Sequence, residues 1–122
     1  MEKTRIGMKN EQRAAQFWSV LVLAARFQKI LSYKTMQQVT GIHRRGQANT
    51  LDLIQNYCIA KKLPPLTSIV VAEDTGLPST GYKATATPTE TFAAQNRTFT
   101  FDWLRCEVPT SEVLAKFKTK KG

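Results

Sequence analysis

Hydrophobic side chains recur every three or four positions between residues 11 and 31. One stripe contains Phe17, Leu21, Ala24, Phe27 (or Gln28) and Leu31, and a neighbouring stripe contains Trp18, Val22 and Ala25. This spacing predicts one long α-helix. Because the helix is apolar over much of its circumference, we expect the rest of the chain to enclose it.

Residues 32–63 have the pattern of a helix-turn-helix. Ser32 can cap a short first helix with its hydroxyl, and Gly41 can end it, since glycine accepts a left-handed backbone. The residues of this part expected to face inward are Met36, Val39 and Ile42. A second helix is predicted from about Arg45. Its two adjacent apolar stripes contain Leu51, Ile54 and Cys58, and Leu53, Tyr57 and Ala60.

A β-hairpin is predicted after the second helix. Two consecutive prolines at positions 64 and 65 stop the helix, and residues 67–72 are rich in the β-branched side chains that strands favour. Residues 73–76 predict a turn with Gly76 at positive φ, and residues 77–86 predict the return strand. A helix-turn-helix followed by a hairpin wing is a winged helix. The predicted fold class is therefore α+β and mainly helical.

Residues 87–122 extend beyond this predicted winged-helix core of residues 11–86. Thr87, Pro88 and Glu90 have the pattern of a helix start with a capping box, and the helix should run to about Gln95. Three aromatic residues then alternate with polar ones and predict a strand or an extended segment: Phe99, Phe101 and Trp103. A last short amphipathic helix is predicted from Val113, Leu114 and Phe117.

The positive net charge and its distribution along the chain indicate the kind of partner. The 122 residues suit one domain, with residues 1–10 expected to be flexible, and carry a formal net charge of +9. No Asp or Glu occurs between Glu11 and Asp52, whereas six Lys or Arg residues lie in that interval. A basic tail at residues 116–121 adds four lysines. Such a balance favours a polyanionic partner, although a basic and merely solvated surface is the alternative.

The first turn of the second helix is polar, rich in hydrogen-bond donors and free of acids. These are properties that suit the major groove of DNA. Arg44 and Arg45 would read guanine or hold phosphate, and Gln47 and Asn49 would read adenine. The candidate nucleic-acid-binding residues are Lys34, His43, Arg44, Arg45, Gln47, Asn49, Thr50 and, on the wing, Thr80 and Lys83.

The residues do not suggest catalysis, a metal or a cofactor. The acids are few and scattered, His43 is the only histidine, and neither Cys58 nor Cys106 belongs to a CxxC motif. We expect both cysteines to be reduced thiols in a cytoplasmic protein. The most apolar run, residues 17–25, is shorter than the roughly 20 residues that span a membrane, so no membrane partner is expected.

Residues 17–82 resemble the winged-helix domain of the O6-alkylguanine-DNA alkyltransferases and alkyltransferase-like proteins. The shared pattern contains Trp18, Ser32-Tyr33, Gly41, a basic helix, the sequence LPPLTSIVV at residues 63–71, and Gly81-Tyr82. That family carries a Pro-Cys-His-Arg segment before its paired valines, where this chain has Leu66-Thr67-Ser68-Ile69. The family's arginine that fills the gap left by a flipped base falls near Gln47 or Arg45. The resemblance therefore implies the scaffold and DNA contact, and argues against alkyl transfer.

Three functions fit these observations. The first is a non-enzymatic, sequence-reading protein for double-stranded DNA, such as a small prokaryotic or phage transcription regulator. The second is a phage-encoded inhibitor, of the anti-CRISPR or anti-restriction type, that binds a nucleic-acid-handling defence complex. The third is recognition of damaged DNA without alkyl transfer. The oligomeric state is left open, with a homodimer among the options.

Overall fold

The computed structural model describes residues 9–78 and 87–118. Over these residues the chain is mainly helical, with one small two-stranded sheet. The α-helices are α1 (Asn10–Arg26), α2 (Tyr33–Thr40), α3 (Arg44–Ala60), α4 (Pro88–Thr100) and α5 (Ser111–Ala115). The strands are β1 (Leu31–Ser32) and β2 (Val70–Val71), and two 3-10 helices cover Leu66–Ile69 and Trp103–Arg105.

Several helix ends form where the local sequence predicts them. The Ser32 hydroxyl accepts a hydrogen bond from the Thr35 backbone N–H at 3.0 Å and caps α2. Gly41 ends α2 in the left-handed conformation, with φ of 75°. Thr87 and Glu90 form the predicted capping box at the start of α4. These predictions succeed because each depends on residues only a few positions apart.

Helix α1 lies at the centre of the core, as predicted. The Trp18 ring packs edge-on against the rings of Tyr57 on α3 and of Trp103, with 5.6 Å between ring centroids in both pairs. Leu114 of α5 is fully buried in the same cluster. Residues 87–118 therefore complete the core that α1 begins, and are not a covering added to a finished domain.

The sheet differs from the predicted hairpin. Residues 67–69 belong to a 3-10 helix instead of a strand, and of the predicted strand only Val70 and Val71 form one. Strand β2 pairs in parallel with β1, with Leu31 opposite Val70. The turn at residues 73–76 is present, with Gly76 at φ of 70°. Residues 77–78 are not in a strand, and the rest of the predicted return strand, residues 79–86, lies outside the described residues.

Three other local predictions are wrong. Helix α1 ends at Arg26 and not near residue 31, because Gln28 takes a positive φ of 56° and turns the chain into β1. Helix α4 continues through Phe99 to Thr100, so the alternating aromatic residues span a helix end and do not form a strand. Val39 is 58% exposed and does not join Met36 in the core.

Candidate nucleic-acid interface

The cap and first turns of α3, residues 43–49, form what we call the α3 tip. A three-residue turn, residues 41–43, joins α2 to α3. The imidazole Nδ1 of His43 accepts a hydrogen bond from the Arg45 backbone N–H at 3.3 Å and caps the helix. A Cβ on Gly46 would lie 3.0 Å from the Ile42 side chain, so glycine allows the turn to approach the helix closely.

Two predicted contact residues are inside the protein. Gln47 is fully buried, and its Nε2 donates to the backbone carbonyls of Tyr33 at 2.9 Å and Ile42 at 3.0 Å. Thr50 is also fully buried, and its hydroxyl donates to the Gly46 carbonyl at 3.2 Å. The expectation that these side chains face a partner is therefore wrong. Instead, Gln47 ties the α3 tip to α2 and to the turn.

The remaining described candidates are exposed. They are Lys34 on α2, His43 at the cap, and Arg44, Arg45 and Asn49 on α3. Residues four apart in a helix lie on the same face, so Arg45 and Asn49 share the outer face of α3. Of the two positions where the alkyltransferase resemblance puts its arginine, only Arg45 is exposed. The candidates Thr80 and Lys83 lie outside the described residues.

Arg44 and Arg45 differ in their surroundings. The Arg44 guanidinium lies over the Tyr33 ring, with its Cζ 4.7 Å from the ring centroid. This is the distance of a cation–π contact, and Tyr33 is itself buried at the start of α2. Arg44 is therefore held against α2, whereas the Arg45 side chain makes no such contact within the described part of the chain.

A further cation, Arg13 of α1, lies beside the α3 tip. Its Nη1 is 3.9 Å from the position that a Cβ on Gly46 would occupy. Its Nε is buried and has no hydrogen-bond partner among the described residues. The sequence analysis did not include Arg13 among the candidates. Its membership of the long interval without acids was the signal that could have identified it.

The electrostatics of this surface favour an anion. The three ion pairs among residues 9–78 and 87–118 join Arg26 and Arg105 to Asp102, and Lys118 to Glu11. None of them neutralises a cation of the α3 tip. The N-terminus of a helix carries in addition a partial positive charge of about half a unit. The positive charges of the side chains and the partial positive charge of the helix N-terminus therefore lie at the same place on the surface.

The two cysteines, Cys58 and Cys106, are not part of the α3 tip. Burial raises the pKa of the Cys58 thiol to about 12. Burial, with a smaller contribution from Asp102, also raises the pKa of Cys106. Both shifts keep the thiols protonated near neutral pH, which makes them poor nucleophiles. The described residues contain no cluster of three or more potential metal ligands from His, Cys, Asp or Glu.

None of the helices in the described residues has the length and apolarity required to cross a bilayer.

Comparisons of the chain with protein-family models, with curated proteins and with solved structures found no match. The arrangement of the α3 tip is therefore the basis on which a function can be proposed.

Proposed function

We propose that this chain is a non-enzymatic DNA-binding protein that inserts the α3 tip into the major groove of duplex DNA. The observation that carries the proposal is the exposed, acid-free set of donors at the N-terminal end of α3. In helix-turn-helix proteins the residues at this end of the second helix contact the base edges, while the first helix crosses the backbone. Small prokaryotic and phage transcription regulators work in this way.

The connection between α2 and α3 supports this proposal. A turn of three or four residues that contains glycine is typical of a helix-turn-helix, and residues 41–43 match it. Lys34 is exposed at the start of α2, where a helix crossing the backbone would meet phosphate. In the winged-helix form of the proposal, Thr80 and Lys83 would contact the flanking backbone, as the sequence predicts.

The test is a binding titration of a mixed-sequence duplex by fluorescence anisotropy, repeated over a series of salt concentrations. Binding should weaken steeply with salt, because each neutralised phosphate releases counterions. The double variant Arg44→Ala/Arg45→Ala should weaken binding at least tenfold, which corresponds to about 1.4 kcal/mol. Unfolding measurements on the same variant should show a folded chain, since both side chains are exposed.

A matched control exists at the opposite end of α3. The double variant Lys61→Ala/Lys62→Asn also removes two positive charges from exposed positions. Asparagine is chosen at residue 62 because Lys62 has a positive φ of 58°, which asparagine tolerates. An equal loss of affinity in both double variants would refute the assigned surface, since it would mean that only net charge matters.

A protein partner is the second candidate. Leu23 on α1 and Phe27, the residue that follows its last turn, lie four positions apart and are 59% and 68% exposed. Large apolar side chains that are adjacent and exposed favour protein contacts. An inhibitor of a nucleic-acid-handling defence complex would use them together with the basic α3 tip. The absence of duplex binding at about 50 mM salt, with stable capture of such a complex, would support this candidate over the first.

A further inference from the structure

Tyr33 and Arg44 are in contact at the junction of α2 and α3. Tyr33 is 6% exposed, and its backbone carbonyl accepts the hydrogen bond from the Gln47 amide. The Arg44 guanidinium lies 4.7 Å from the centre of its ring. Stacking of this kind limits the directions in which a guanidinium can extend, and leaves its N–H groups at the edge free to donate.

Arg45 and Asn49 lie elsewhere around α3. Successive helical residues are rotated by about 100°, so Arg45 lies well away from the side on which Arg44 meets α2. In the described part of the chain no side-chain hydrogen bond or ion pair holds Arg45 or Asn49. Both side chains are exposed and can adapt to a groove.

We propose that the two arginines divide the work of DNA binding. Arg44, positioned by the Tyr33 ring and accompanied by Lys34, binds a backbone phosphate. Arg45 and Asn49 read base edges, guanine and adenine respectively. This inference depends on the proposed function, and assigns within it the residues that determine sequence preference.

The helix geometry also gives the spacing of the bases. Residues four apart are separated by a rise of about 6 Å, and neighbouring base pairs by about 3.4 Å. With α3 lying along the groove, Arg45 and Asn49 therefore reach bases about two steps apart. The bidentate pairs that their chemistry favours are arginine with guanine and asparagine with adenine. The preferred duplex contains a guanine and an adenine at this separation.

The experiment selects binding sites from randomised duplexes with the full chain and its single variants, and then measures the salt dependence of binding. Arg45→Ala should lose the guanine preference at one position and reduce the ratio of specific to random binding at least tenfold. Asn49→Ala should do the same at the adenine position. Arg44→Ala should weaken binding to all sequences equally and lower the slope of log affinity against log salt by about 0.9.

Two further variants separate the positioning of Arg44 from its charge. Arg44→Lys keeps the charge and removes the planar group, and should weaken binding without changing the selected bases. Tyr33→Leu should have the same effect, whereas Tyr33→Phe keeps the ring under the guanidinium and should lose less affinity than Tyr33→Leu. Because Tyr33 is buried, the unfolding midpoint of each Tyr33 variant is measured beside its affinity.

The outcomes distinguish this inference from the proposed function. A change of selected base in Arg44→Ala, or a uniform loss in Arg45→Ala, would overturn the division of roles. Binding by the parent chain without any sequence preference would overturn the reading role and leave DNA binding intact. Failure of the parent chain to bind any duplex would overturn the proposed function itself, and the inference with it.

Discussion

Replacement of Trp103 tests whether the C-terminal part of the chain is essential to the fold. Trp103 is 2% exposed and packs edge-on against Trp18 and Phe101, with ring centroids 5.6 Å and 4.6 Å apart. Its indole Nε1 donates a hydrogen bond to the Thr98 carbonyl at 2.8 Å. That carbonyl is one of the last four of α4, which have no partner within the helix.

The expected magnitude follows from these contacts. Truncation of a buried tryptophan to alanine costs about 3–5 kcal/mol in lost burial and in the cavity left behind. Trp103→Phe keeps an aromatic ring but leaves the Thr98 carbonyl unpaired, which should cost about 1–3 kcal/mol. A domain of this kind has about 5–15 kcal/mol of stability in all, so the alanine variant should lose a large part of it.

Equilibrium unfolding in urea, followed by circular dichroism, measures both losses. Circular dichroism is preferred to fluorescence because the chain has two tryptophans and the variants remove one. The neighbouring Leu104 is 71% exposed, so Leu104→Ala should change the free energy of unfolding by less than about 0.5 kcal/mol. Equal and small effects of Trp103→Ala and Leu104→Ala would refute the assignment of this segment to the core.

Three further predictions concern single groups. Thr67→Val should raise the free energy of unfolding by about 1 kcal/mol in urea titrations, because the Thr67 hydroxyl is buried without a hydrogen-bond partner among residues 9–78 and 87–118. The matched Ser68→Ala should lower it, since that hydroxyl lies 3.3 Å from the Thr98 hydroxyl, and equal effects would contradict the reasoning. Gly41→Ala should lower the free energy of unfolding by about 1–2 kcal/mol in thermal melts, because φ is 75° there; an unchanged midpoint would exclude the left-handed turn. In the unfolded chain the Cys58 thiol has its ordinary pKa of 9.0, whereas burial raises the pKa to about 12 in the folded protein. The unfolded chain therefore loses this proton at a lower pH than the folded protein does. The free energy of unfolding should fall from about pH 9 upward, and the fall should be shallower in Cys58→Ala.

Local signals in the sequence were sufficient for several helix boundaries and for the exposed cations. Ser32, Gly41 and Thr87 act on backbone groups within three or four residues, so a short stretch of sequence contains the whole interaction. Arg44 and Arg45 are exposed, as the sequence analysis expected. Their role in DNA binding stays a prediction.

The sheet could not be predicted in this way. Strand β1 is two residues long, and its partner β2 lies almost forty residues further along the chain. A pairing of this kind depends on how α2 and α3 bring the two strands together, and no local pattern records it. Residues 67–72 were predicted to form one strand, yet the first three of them belong to a 3-10 helix that contacts α4. There the Thr98 hydroxyl donates to the Pro65 carbonyl at 3.1 Å.

The burial of Gln47 shows that the polarity of a side chain does not by itself predict whether it faces a partner. A glutamine in a donor-rich helix tip is equally suited to a base and to a buried carbonyl, and its sequence neighbours do not distinguish the two. Its amide bonds to Tyr33 and Ile42 hold α3 against α2 and the turn. A surface fixed before binding loses less conformational entropy when a partner arrives. The polar residues of the α3 tip therefore divide into Gln47, which is buried and positions the helix, and the others, whose side chains are exposed, and only the packed structure separates them.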